Sequence, residues 1–289
     1  MSSILLFAAG TLLLVAVVYD FLHTTISLSG LGPISARLTR WLWGLGRGIT
    51  LWTENRFGRS LRGVIGPTIL SVLAGSWILL HLAGYTLLYL SGTSLEVSKT
   101  GAPADFVQIV AFAGSALSTL GASTVGPTNG WWDILSMVAA INGMVVLTLS
   151  VSFVLTILQT TASARSWAVR YHALIESAET RGEEKTPGTA ASLGAELCTV
   201  AVSLTASPLT GVFVPDDPDM SFPQALRDLC VRMDGHEMAS WNPGIGSSEL
   251  AEMRSGLGLL GRHVGTHGEE GDFANARAWA ERHSLPPRL

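Results

Sequence analysis

The sequence predicts an all-α membrane protein with three transmembrane helices, a short re-entrant helix and loop before the third, and a helical cytoplasmic domain after it. Three observations carry that reading. Hydrophobic residues make up 48% of the 289-residue chain and charged residues only 14%, a low charge content for a soluble protein of this size. Most of the apolar excess lies before Thr160, in runs long enough to cross about 30 Å of hydrocarbon at about 1.5 Å per residue. Between the second and third runs, Ala111 to Pro127 is apolar, rich in Gly, Ser and Thr, and too short to cross twice. Backbone that turns inside the hydrocarbon cannot face lipid with its polar groups unpaired, so this stretch must be buried in protein or line water.

A net charge of −4 gives no reason to expect a nucleic-acid partner. Cys198 and Cys230 are too few for a disulfide framework and match no zinc spacing, so they read as buried thiols.

The first run extends from Ile4 to about Leu28. No Lys or Arg precedes it and no small-residue cleavage site closes it, which predicts a retained span rather than a signal peptide. Asp20 within it would cost about 2.5–3.5 kcal/mol at a helix centre, so it is expected near the water interface or against protein. Asp20 and His23 lie one helical turn apart. They read either as a proton- or ion-sensing pair or as an anchor tying the helix end to the next segment.

Ser29 to Pro33 breaks the helix. From Ile34 to Trp52 the apolar residues Leu38, Trp41, Leu42, Leu45, Ile49 and Trp52 recur at helical spacing among arginines, the pattern of a helix lying in the headgroup plane. Six arginines between Arg37 and Arg62 face one acid, Glu54, which predicts a cytoplasmic linker by the positive-inside bias. Membrane lipid is therefore an expected partner. Val64 to Leu90 is the second span, in which His81 reads as a hydrogen-bonded packing residue. A short Gly/Ser/Thr linker follows, then a helix opening at Ala104 or Asp105 and running to about Ser118. Trp131 to about Gln159 is the third span, with Asp133 in its first turn. This topology places the N-terminus outside and the C-terminus in the cytoplasm of a multi-pass cell-membrane protein.

After Ala162 the chain is soluble in character, with helices expected over 164–179, 190–205, 222–233, 248–260 and 272–283 and no strand pattern. Gly256-x-Gly258-x-x-Gly261 has the letters of a dinucleotide fingerprint but follows no strand. His263 and His267 are spaced i,i+4 on a Gly-rich stretch that would hold metal ligands poorly. The segments divide at 1–61, 62–161 and 162–289.

Thr119-Leu120-Gly121-Ala122-Ser123-Thr124-Val125-Gly126-Pro127 aligns without a gap on TVGYGDxxP, the signature that follows the pore helix of tetrameric potassium channels. Thr119, Gly121 and Pro127 match, and Leu120 replaces Val conservatively. Ala122, Ser123 and Thr124 replace the Tyr, the second Gly and the Asp. Together with the order span, linker, short helix, loop, span, this resembles the two-span pore module of that superfamily over roughly Arg62 to Thr160.

The resemblance implies a homotetramer in which the short helix is a pore helix and 119–124 a selectivity filter, with carbonyl rings from Thr119, Leu120, Gly121 and Ala122. Asn142, Gly143, Thr148 and Ser152 on the third span read either as small and polar helix-packing groups or as pore-lining or hinge positions; the resemblance makes that span the inner helix, with Gly143 standing where the family's hinge glycine is found. Permeant monovalent cations such as K+ or Na+ would be the only ligands, with no cofactor. The altered residues imply a changed upper filter: a left-handed Ser123 would cost about 1–2 kcal/mol, Ala122 lacks the packing ring, and Thr124 lacks the anchoring acid. The expectation is weakly selective cation conduction. The alternative is a non-conducting scaffold whose cytoplasmic helices sense a ligand or bind a protein. No residue constellation points to an enzyme, since Ser123 has no base or acid in sequence reach.

Overall fold

The computed structural model describes residues 2–26, 30–57, 62–121, 124–181, 192–206, 209, 211, 213, 215, 217–234, 247–264 and 271–284. Helices dominate in the order α1 (Ser2–Ile26), α2 (Pro33–Phe57), α3 (Arg62–Leu90), α4 (Phe106–Leu117), α5 (Gly130–Arg181), α6 (Leu193–Ala206), α7 (Phe222–Asp234), α8 (Ser247–Val264) and α9 (Asp272–His283). Two short strands, β1 (Leu95–Val97) and β2 (Val125–Pro127), flank α4. Among the described residues, three helices are long and apolar enough to cross a membrane, over Ser3–Ile26, Gly63–Leu90 and Gly130–Ser177. The third continues as one helix to Arg181.

The strands correct the expectation of a purely helical chain. Three residues cannot display a period-2 pattern. Their pairing is antiparallel, Leu95 with Pro127, Glu96 with Gly126 and Val97 with Val125, and comes from distant backbone rather than local propensity.

The chain forms two compact units, one of Met1–Ser27, Leu31–Arg40 and Leu70–Val154, the other of Leu28–Gly30, Trp41–Ile69 and Leu155–Leu289. They do not follow the three sequence segments, because α2, α3 and α5 each contribute to both.

In the first unit the buried carboxyl group of Asp20 ends the question of how α1 meets α2. Pro33 at the first position of α2 has no N–H, so the next two amides are the ones needing acceptors. Ile34 donates to Asp20 Oδ1 at 2.7 Å and Ser35 to the same oxygen at 3.2 Å. The Ser35 hydroxyl donates to Oδ2 at 2.5 Å, and the Trp77 indole N–H lies 3.4 Å from it and 3.2 Å from Ser35 Oγ. Asp20 thus caps a helix from outside it, as an anchoring role requires. His23 instead contacts the Tyr19 ring at 5.8 Å. Gly32 is required beside this cap, since a Cβ there would overlap the Asp20 carboxyl group.

The second unit has a core of Trp167, Tyr171, Leu197, Leu226, Leu257 and Trp279 with their neighbours. Trp167 stacks on Tyr171 at 5.3 Å and donates to the Leu193 carbonyl at 2.9 Å. Gly256 and Gly261 serve helix contact: a Cβ at 256 would lie 3.0 Å from Leu197 Cγ, and one at 261 would strike the Asp272 backbone. His263 returns to its own helix, with Nδ1 3.0 Å from the Leu259 carbonyl. His267 lies outside the described residues.

His283 is held between indoles, 4.6 Å from the Trp279 ring and 6.0 Å from Trp43, both near parallel. Burial pushes its imidazole below the ordinary histidine range; the Trp279 carbonyl opposes this and the Arg282 and Arg47 charges add to it.

Glu249 caps α6 much as Asp20 caps α2. It is buried, and its Oε1 accepts from Leu193 N–H at 3.1 Å. Burial raises its carboxyl above the reference value of 4.5, with the Gly194 and Leu193 amides partly opposing. The unfolded chain therefore ionises first as pH rises, so the contribution of this group to stability is present at low pH and lost as pH rises through the raised folded value. Glu249→Gln keeps an acceptor oxygen and removes that ionisation. Thermal unfolding of the two proteins across a pH series starting below 4.5 is expected to show wild type losing stability relative to the variant as pH rises.

Candidate functional site

The segment between α3 and α5 is pinned at both ends. On the entry side the Ser94 hydroxyl donates to the Tyr89 carbonyl at 2.5 Å. On the return side Thr128 N–H reaches the Ser94 carbonyl at 2.9 Å and the Thr128 hydroxyl the Thr93 carbonyl at 2.6 Å. Ser98 N–H bonds the Thr124 carbonyl at 3.1 Å. The β1–β2 ladder runs between these ties, so the chain leaves and returns at one place.

Inside this loop, α4 opens on a capping box. Asp105 Oδ1 accepts from Gln108 N–H at 2.8 Å while Gln108 Oε1 accepts from Asp105 N–H at 2.9 Å, satisfying two orphan amides reciprocally. Ile109, Phe112 and Ala113 form the buried face of α4, with Phe112 edge-on to Tyr89 at 5.4 Å. Val125 and Ala139 belong to the same cluster.

The end of α4 departs from what sequence reasoning anticipates. Thr119 N–H bonds the Ala116 carbonyl at 3.0 Å and Leu120 N–H the Ser115 carbonyl at 2.9 Å. These two bonds form a Schellman cap, whose left-handed residue is usually glycine. Here it is Thr119, at φ 56, and a β-branched residue there is a genuine outlier. Holding it costs about 1–2 kcal/mol, and such strain persists where the surroundings over-determine it, often at functional sites. Gly121, at φ 66, takes the second left-handed position without that cost. The sequence signal for such a cap, a glycine at 119, is absent, and the left-handed conformation expected at Ser123 falls outside the described residues.

Thr119, Leu120, Gly121 and Thr124 are exposed, and Ala122 and Ser123 lie outside the described residues. Beyond the two capped carbonyls, those of Leu117 and Ser118 complete the negative end of the α4 dipole. The Leu117 carbonyl lies directly against Gly143, where a Cβ would come within 2.7 Å of its carbon. A cavity of about 230 Å³ opens beside this contact, walled by Ile78, His81 and Leu82 of α3, Leu117 of α4, and Gly143 and Leu147 of α5. His81 is buried with Nδ1 2.7 Å from the Trp77 carbonyl.

The other positions singled out on α5 divide in two. Half-buried Asn142 donates to the Tyr85 hydroxyl at 3.3 Å, and Gly143 packs on α4. Exposed Thr148 and Ser152 donate to the carbonyls of Met144 and Thr148, at 2.8 and 3.1 Å. Asp133, in the first turn of α5, donates its N–H to the Asn129 carbonyl at 3.2 Å.

This chain is a membrane protein. It is 33% identical over 162 residues to the uncharacterized membrane protein YdjJ of Bacillus subtilis (strain 168), a match covering 55% of this chain and 46% of that protein. The chain thus spans about half the length of the curated relative it matches. No family model matches the chain. No solved structure matches it either.

Proposed function

We propose that the chain is an ion channel: a potassium-channel-like homotetrameric pore with an altered filter, conducting monovalent cations with weak selectivity. The observation that carries this reading is the clamped excursion of α4. A 12-residue helix is about 18 Å long, short of the roughly 30 Å hydrocarbon core. Both of its flanks meet in the β1–β2 ladder between two membrane-length helices. That is the chain path of a re-entrant segment, which is tolerated at membrane depth only where it is buried or lines water.

Thr119, Leu120 and Gly121 are exposed on the single chain, as residues facing a shared axis would be. Four copies would aim four α4 C-terminal ends at that axis, and the partial negative charge there favours a cation. The caps at Thr119 and Leu120 commit backbone N–H groups and leave the following carbonyls available for rings. Two left-handed residues in three, one of them threonine, differ from a regular alternation of glycines, so potassium over sodium discrimination is weak. The arginines of α2 set the orientation, with α6–α9 in the cytoplasm.

The test is single-channel recording of the purified full chain in planar bilayers under a potassium/sodium gradient, beside Gly121→Asp. A reversal potential near zero, altered or abolished in the variant, is the expected result. Strong potassium selectivity would overturn the weak-filter reading. Silence across voltage, pH and lipid composition would favour a non-conducting scaffold acting through its cytoplasmic helices.

A further inference from the structure

Helix α2 has one face occupied by its own chain and one that is not. On the occupied side Trp43 stacks near parallel to His283 of α9, and a Cβ at Gly46 would come within 3.2 Å of Ile65. On the open side Trp41 is 65% exposed, Leu45 48%, Ile49 47% and Trp52 62%. These positions are three or four residues apart, so they form a single stripe. Gly44 and Gly48 lie between them with open space where a Cβ would stand, leaving the aromatic ends of the stripe as its highest points.

The charge on this helix is one-sided. Arg37, Arg40, Arg47 and Arg56 are set against Glu54 alone, and Arg40 and Arg56 are exposed near the two ends of the stripe. The chain continues from α2 into a membrane-length helix in each direction, α1 before it and α3 after it. The bilayer surface is therefore within a few residues of both ends of α2.

We propose that the exposed face of α2 is a binding surface for anionic phospholipid, with Trp41, Leu45, Ile49 and Trp52 seated at the headgroup–acyl boundary and Arg40 and Arg56 paired with lipid phosphates. Indole rings sit at that boundary because they join an apolar body to one N–H donor. Arginine binds phosphate through paired donors that a lysine cannot reproduce. A zwitterionic surface satisfies the apolar stripe but not the surplus of arginine, and this surplus selects the anionic lipid.

The full chain in lipid nanodiscs tests this by tryptophan quenching. Brominated phosphatidylglycerol and brominated phosphatidylcholine are compared, each diluted in unlabelled phosphatidylcholine. Anionic lipid is expected to be enriched about fivefold per arginine near the surface at low ionic strength, so wild type should be quenched more by the brominated phosphatidylglycerol. The difference should vanish in Trp41→Leu/Trp52→Leu, which removes the reporters and keeps the face apolar. It should also vanish in Arg40→Gln/Arg56→Gln, which keeps the reporters. Exposed Trp131 supplies a lipid-contacting background without an arginine neighbour in sequence. Equal quenching by the two lipids in wild type overturns the proposal, as does a preference that survives removal of both tryptophans. Quenching of the Trp41 and Trp52 component by neither lipid would assign the face to a second copy of the chain and likewise overturn it.

Discussion

Gly143→Ala should destabilise the full chain by about 3 kcal/mol and disturb the loop after α4. The new methyl group would meet the carbonyl carbon and Cα of Leu117 at 2.7 and 2.8 Å. Overpacking usually costs about 1–3 kcal/mol, and the upper end applies because the obstacle is backbone, which has no rotamer to move to. Relief must come from shifting the α4 C-terminus, and the Schellman cap at Thr119 would move with it. A glycine acting only as a hinge predicts otherwise: alanine would stiffen α5 and change opening with the unfolding midpoint unchanged. Thermal unfolding of the purified variant separates the two, and an unchanged midpoint would refute the packing role.

Asp20→Ala should cost about 3 kcal/mol, and Asp20→Asn about a third of that. Alanine leaves the amides of Ile34 and Ser35 and the Ser35 hydroxyl without their acceptor, while the Trp77 indole N–H keeps the Ser35 Oγ at 3.2 Å. Each buried donor left unmet costs about 1–3 kcal/mol, and they relax together rather than additively. Asparagine keeps one carbonyl oxygen, which Ile34 N–H can use at its present 2.7 Å. The readouts are the midpoint of unfolding in detergent and amide exchange across the first turn of α2. Exchange there should accelerate strongly in the alanine variant and slightly in the asparagine variant; equal protection in all three proteins would show that the cap is dispensable.

The helices were legible wherever an apolar run or a capping residue marked them. Asp105 followed by Gln108 announces α4, and α9 spans 272–283 as its pattern predicts, because these signals act within one turn. What escaped the sequence depends on distant partners. Asp20 could be read as sensor or anchor until Pro33 and the amides behind it stood beside the carboxyl group. The strands are set by the ladder across α4 rather than by three-residue propensities. In the candidate site, Gly121 is left-handed as its lack of a Cβ permits. The strained residue could not be found the same way, since Thr119 occupies a cap that normally advertises itself with glycine. Gly143 carried a resemblance to a hinge, whereas the distance that constrains it is to a carbonyl on another helix.

The ladder joining β1 to β2 has a mechanical consequence. With Thr128 tied to Ser94 and Ser98 to Thr124, the described residues 98–121 belong to a bight whose two ends are fastened together. A pull along α3 or α5 at that end loads the fastening first. Displacement of α5 reaches Thr119 by a different route, sideways through the Gly143–Leu117 contact. The bight is thus shielded from tension along the chain and open to leverage from its flank, so a rotation of α5 by a fraction of a turn would move it where a stretch would not.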